Sequence, residues 1–327
     1  MKKIILSAVL LSAAACRNAA GPSGGEAPGG PAVVWFNGLS ATVDAYYAQA
    51  DSLVTAAWYT GSAPNHIVSL GGGRFALICS LDAQLMVAGT EETGSWVTTA
   101  LLPHGTNPYS MAVSGDTAFV SLLLADSVVR VSLTTGEVSE GFSTRSNPSG
   151  IACSGDYVFV SYANWPEASS PGGVSVYRSG TCEETHWLDT GMNTHWLAMQ
   201  PSGNLHCYST TYQNDGRITV VNTEPPHSVI SAVECGGAPG EAVLVNGSFV
   251  SPDGWGNGGL VVYNETGEWE RVNLEFAPVC LALQDNIMYA SSFGENRVYV
   301  LDPETLEPSA WMQSGGEGPQ GIVAVDP

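Results

Sequence analysis

A short motif returns along this chain about every forty residues, and that cadence limits the possible folds more than any composition figure. The motif starts at Asn65-His66, Asn107-Pro108, Asn147-Pro148, Asn193-Thr194, Ala238-Pro239, Ala277-Pro278 and Gly318-Pro319. Neighbouring starts lie 39 to 46 residues apart. Near-constant spacing at this length marks one supersecondary unit copied many times, each copy burying its apolar surface against its neighbours.

Within each unit the order of parts is the same. A short apolar run comes first, as in Ser110-Met111-Ala112-Val113 or Gly150-Ile151-Ala152. A Gly, Asp or Asn turn follows, as in Ser114-Gly115-Asp116 and Ser154-Gly155-Asp156. Next is a β-branched and aromatic stretch such as Tyr157-Val158-Phe159-Val160 or Ile287-Met288-Tyr289-Ala290. A polar loop leads to a third alternating stretch, at 128–133, 173–177 and 297–301. The fourth comes after turns such as Thr134-Thr135-Gly136-Glu137 and Asn264-Glu265-Thr266-Gly267. Period-2 alternation between turn clusters predicts strands. Four strands per unit of this length predict an all-β, seven-bladed β-propeller with four-stranded antiparallel blades.

The two ends predict how the ring closes. The last unit supplies one strand, over 321–325. The segment 32–64 supplies three, over 32–36, 42–47 and 52–58, and has no first strand of its own. The first blade is therefore expected to be assembled from both termini, which leaves no broken interface in the ring.

These residues also carry a family likeness. Asn147-Pro148-Ser149-Gly150-Ile151-Ala152 and Gly318-Pro319-Gln320-Gly321-Ile322-Val323, with Thr-Gly turns after third strands, resemble the YVTN/YncE-like and NHL-like propeller repeats over residues 32–327. Those groups include enzymes, scaffolds and proteins of unknown role, so the resemblance implies a fold and leaves the function open.

The N-terminus reads as an export signal over residues 1–15. Met1-Lys2-Lys3 is basic, 4–15 is apolar, and Ala13-Ala14-Ala15 precedes Cys16. A Cys directly after small residues resembles a bacterial lipoprotein signal, although the usual Leu three positions before the Cys is here Ala13. The other reading is an ordinary signal peptide with an incidental Cys. The lipoprotein resemblance implies lipidation at Cys16, and Arg17 after it implies the outer membrane. Residues 16–31, rich in Gly, Pro and Ala, then form a flexible tether before the propeller at 32–327. An exported, lipid-anchored protein of the bacterial cell envelope is the expected localisation, touching the membrane only through its anchor.

Charge narrows the partners. The chain holds 31 acids against 10 basic residues, a net charge of −21. Both lysines sit at positions 2 and 3, so the propeller has arginine as its only permanent cation. Nucleic acid is excluded as a partner, since phosphate contacts need clustered Lys or Arg. The acids are dispersed, which suits solubility, and the field they produce favours cations or basic partners.

Six cysteines follow Cys16: Cys79, Cys153, Cys182, Cys207, Cys235 and Cys280. Export permits disulfides. The repeat map separates most of these residues, so buried thiols are expected for most, with Cys182 and Cys207 as the one pair worth testing. CxxC, CxxCH and HExxH spacings do not occur.

Propeller ligands usually sit where the loops into first strands meet those joining second to third strands. The first set brings His66, Tyr109, Ser149, His195, Trp196, Glu241 and Gln320. The second brings Asn37, Asp126, Trp165, Tyr212, Asp215, Trp255 and Asn296. Two loops of the second set, 164–173 and 251–259, are long, and each carries a Trp among Pro, Gly and Asn. The expected ligand-binding residues are Trp165, Trp255, Tyr109, His66, Trp196, Tyr212 and Asp215, with Trp165 and Trp255 as stacking platforms for a sugar or peptide side chain. The competing reading has each Trp capping a neighbouring blade.

A catalytic alternative rests on His195 and Glu241, on successive blades, as an acid–base pair or cation site. Gly316-Glu317-Gly318-Pro319 resembles the metal-binding motif of the gluconolactonase group, which makes Glu317 a candidate metal ligand. No matching Asn and Asp ligands appear on the other blades. No cofactor is predicted; Ca²⁺ or Mg²⁺ is the cation such a site would take. The expectation is a monomeric binding or scaffold propeller whose partner is an envelope protein, peptide or carbohydrate. The alternative is a metal-assisted lyase or lactonase-like hydrolase at the channel mouth.

Overall fold

The computed structural model describes residues 27–163 and 172–327, and its described part is a seven-bladed β-propeller. Seven separate sheets each hold four antiparallel strands. We number the blades by their innermost strands. Blade 1 has Pro319–Val325, blade 2 Pro64–Gly71, blade 3 Pro108–Ser114 and blade 4 Pro148–Ser154. Blade 5 has Thr194–Met199, blade 6 Val243–Val245 and blade 7 Cys280–Gln284.

Local backbone chemistry explains the repeat motif. Ala63, Asn107, Asn147, Asn193 and Gly318 all adopt positive φ immediately before an inner strand. Asn and Gly tolerate that left-handed turn best, and Pro then starts the strand without owing an N–H to a partner. The structure also corrects one start. Blade 2 opens at Ala63-Pro64, two residues before Asn65-His66.

Closure runs through blade 1. Pro319–Val325 pairs antiparallel with Ala32–Asn37, placing Val34 opposite Val323 and Trp35 opposite Ile322. Thr42–Tyr47 and Ser52–Tyr59 complete the sheet, as the terminal segments predict.

Strand alternation builds the core between blades. Val34 and Phe36 pack toward blade 2 with Phe75, Leu77 and Met86. Val33 and Trp35, on the opposite face of the same strand, pack toward blade 7 with Tyr289 and Val298. Successive side chains of a strand point to opposite faces, so one strand serves two interfaces. Seven apolar clusters result among the described residues, one between each pair of neighbouring blades. At roughly 25 cal/mol per Å² of apolar area, these clusters are the main favourable term.

The same alternation rules out the candidate disulfide. Cys207 lies in the cluster between blades 4 and 5, whereas Cys182 packs against the one between blades 3 and 4. The Cys182 sulfur receives a hydrogen bond from Arg130 at 2.8 Å. All six described cysteines are free thiols. Among the described residues no helix is long and apolar enough to cross a membrane.

Candidate functional site

Registering the inner strands on their opening residue shows what converges on the axis. Two positions after Pro64, Pro108, Pro148, Thr194, Pro239, Pro278 and Pro319 stand His66, Ser110, Gly150, Trp196, Glu241, Cys280 and Gly321. They occupy equivalent sequence positions in the seven blades and make one tier, in which Glu241 sits just before its short strand Val243–Val245. Of these, His66, Trp196, Glu241, Cys280 and Gly321 line the central cavity.

Trp196 is the longest of them. From blade 5 it stacks on Tyr109 of blade 3, with ring centroids 5.3 Å apart and planes at 24°. It also stacks on His66 of blade 2 at 5.8 Å and 30°. The indole thus spans the channel and divides it. A cavity of about 520 Å³ remains on one side, walled by blades 1, 2, 5, 6 and 7. Tyr212 and Trp255, 58% and 50% exposed, line the same cavity from loops of blades 5 and 6. Trp255 leans on Phe293 with centroids 5.1 Å apart.

The polar groups in this cavity are mostly uncharged. The Met111 backbone N–H donates to His66 Nδ1 at 3.1 Å, so the proton of a neutral ring sits on Nε2. That Nε2 faces Glu241 Oε1 at 3.9 Å, too far for a hydrogen bond. Burial lowers the His66 pKa to about 4, which keeps the ring neutral at pH 7. Burial also raises Glu241 to about 7. About a third of the Glu241 side chain remains accessible, but that surface opens into the cavity it lines. Burial likewise pushes the Cys280 thiol up to about 12, with the Glu241 charge adding to the effect, so it stays protonated and unreactive.

The structure assembles several sequence candidates and separates others. His66, His195, Trp196, Tyr212, Glu241 and Trp255 line one cavity, and Tyr109 backs it through Trp196. The partnering of Glu241 differs from expectation: its imidazole neighbour is His66 across the channel, and His195 of the adjacent blade makes no ion pair with it. His195 turns toward Asn193, whose Nδ2 lies 2.7 Å from its Nε2, and toward the Tyr212 ring at 5.5 Å. Burial depresses its pKa to about 4.

Asp215 is consumed locally, accepting from the Thr211 N–H at 2.9 Å and the Thr210 hydroxyl at 3.3 Å. It borders a second cavity, with Asp189, Arg217 and Glu234, rather than the channel. Glu317 is exposed outside the channel cavity, and its backbone N–H binds the Ser40 hydroxyl at 2.7 Å. Among the described residues no three His, Cys, Asp or Glu side chains gather as a metal site would need. Trp165 and Cys16 lie outside the described residues. The tier residue missed from sequence is Cys280, and the missed relation is the stack of His66 and Tyr109 on Trp196. The signal for both was the X-Pro register, in which the start misplaced at Asn65 hid the place of His66.

No protein-family model and no curated protein matches the chain. Solved structures do. A functionally unknown protein from Desulfotomaculum acetoxidans aligns at TM-score 0.73 and 12% identity, over 90% of this chain and 99% of that one. Kuenenia stuttgartiensis hydrazine synthase gives 0.64 and 16%, over 80% and 89%. Citrobacter koseri AztD gives 0.62 and 13%, over 91% and 99%. At these identities the likeness shows the fold alone: the chain is a β-propeller repeat protein.

Proposed function

We propose that this protein is a binding propeller of the bacterial cell envelope whose ligand enters the central channel between the blade 5 and blade 6 loops. One observation carries the reading. A cavity of about 520 Å³ is faced by Trp196, Tyr212 and Trp255 and holds only scattered polar groups. That volume and lining are those of a small-molecule or side-chain pocket. The lipoprotein-type signal at Ala13-Ala14-Ala15-Cys16 supports export and anchoring, and the Asn-Pro and Gly-Pro starts support a YVTN/YncE-like or NHL-like membership.

A thermal-shift panel of sugars, amines and short peptides tests the binding. A ligand should raise the wild-type midpoint, and Tyr212→Ala with Trp255→Ala should abolish the shift. A panel with no shift, or shifts untouched by those changes, would refute the site. Cys16→Ser should move the protein from the membrane fraction to the soluble one.

A second reading is acid–base chemistry by the His66–Glu241 pair, favoured by their 3.9 Å approach. His66 is the weaker half, because its Nδ1 is already occupied by the Met111 N–H and its ring stays neutral. Turnover of a lactone or other ester lost in Glu241→Gln would favour this reading.

A further inference from the structure

The fully buried carboxylates of the described structure are met by donors. Asp44 accepts from Asn37 Nδ2 at 3.0 Å, the Ala56 N–H at 2.7 Å and the Gly315 N–H at 2.8 Å. Asp253 accepts from the Ala238 and Asn257 N–H groups and pairs with Arg271. Glu241 has no hydrogen bond from any described residue, and the His66 Nε2 faces it at 3.9 Å. No arginine lines the channel cavity, and the chain has no lysine after position 3. The protein supplies no permanent cation here.

Aromatic rings line the same cavity as this carboxyl. Trp196 shares its tier, and Tyr212 and Trp255 line the way in from solvent. Aromatic faces beside an acid in a desolvated pocket attract a cation through the ring quadrupole as well as through charge. The net charge of −21 adds a long-range field of the same sign. A bare divalent ion fits badly, because it needs six or more oxygen ligands, or several with water, and this cavity offers one carboxylate.

We propose that the channel binds an organic cation, an alkylammonium or guanidinium group, with its charge against Glu241 and its apolar body against Trp196, Tyr212 and Trp255. The proposal rests on the binding reading above and names the chemistry of its ligand. Ionised Glu241 is the receptive form, so binding displaces the carboxyl proton to solvent when the pH is below about 7. The same group reaches the site from a free amine or from a Lys or Arg side chain of a peptide.

Calorimetry and tryptophan fluorescence with tetramethylammonium, n-butylammonium and the peptide Gly-Lys-Gly test this, with tert-butanol as the neutral shape control. The cations are expected to bind about tenfold more tightly at pH 8 than at pH 6, with proton release at pH 6. Glu241→Gln should weaken them at least tenfold while its circular dichroism stays that of the wild type. Binding of n-butylammonium without the peptide indicates a free amine as the source; the reverse indicates a polypeptide side chain. Equal binding of tert-butanol and tetramethylammonium, insensitive to pH, would overturn the cation proposal and leave the binding site standing. No binding by these probes, together with a silent thermal-shift panel, would remove both. Should Glu241→Gln fail to fold, the wild-type pH dependence decides.

Discussion

The closure seam and the channel mouth each hold a carboxyl, and the protein treats the two in opposite ways. At the seam, Asp44 is fully buried and met by two backbone N–H groups and the Asn37 amide. The Ser314 hydroxyl, 2.9 Å away, joins the loop after the last outer strand to the same oxygen. At the mouth, Glu241 lines an aromatic cavity, accepts no hydrogen bond from the described residues and faces a neutral imidazole at 3.9 Å. A satisfied buried acid fixes structure; an unsatisfied one costs free energy that a partner can recover. The contrast separates what holds the ring shut from what the ring presents.

The largest effect belongs to the seam. Removing residues 318–327 takes the inner strand from blade 1 and opens its contacts with Ala32–Asn37. Loss of a single cooperative melting transition is expected, and a truncated protein that melts like the full chain would break the closure account. Asp44→Ala should cost about 3 kcal/mol, because several buried donors lose their acceptor at ~1–3 kcal/mol each. Chemical denaturation measures it, and a cost below about 1 kcal/mol would mean water replaces the carboxylate.

The mouth should respond with the opposite sign. Glu241 has a raised folded-state pKa, so the fold loses stability as pH climbs from the ordinary carboxyl range through about 7. Glu241→Gln should therefore raise the melting midpoint at pH 8 by about 2 °C, discounted for the water reaching the side chain, and change nothing at pH 4. His66 and His195 act at the acid end. Both are lowered to about 4, so their share of stability is present above about 6.5 and is lost as pH falls through about 4. Smallest is Trp255→Ala. Half exposed and touching Phe293, it should cost under about 1 kcal/mol, against the ~3–5 kcal/mol of a core Trp. A large drop would make Trp255 a packing residue and weaken the mouth as a recognition surface.

How legible each region was in the sequence follows the same division. The ring was readable because its determinants are local. Asn or Gly before Pro sets a left-handed residue ahead of the inner strands of blades 1, 3 and 4, and alternation such as Val33-Val34-Trp35-Phe36 sends side chains to both interfaces. Strand bounds at 42–47 match the observed Thr42–Tyr47. The channel was readable as a set of residues but not as pairs. His195 and Glu241 lie on neighbouring blades, yet the imidazole beside Glu241 comes from blade 2, because side chains on the axis meet across the ring. Nor did spacing expose Asp44, since its donors come from segments some 270 residues apart that meet only when the ring closes.

The central claim is that Glu241 stands in the channel cavity without a neutralising partner. Labelling glutamate side-chain carboxyls with ¹³C and titrating wild type against Glu241→Gln by NMR isolates that one resonance. The account predicts a midpoint near 7 in the free protein, falling when tetramethylammonium is added. A midpoint in the ordinary carboxyl range, unmoved by the cation, would contradict it.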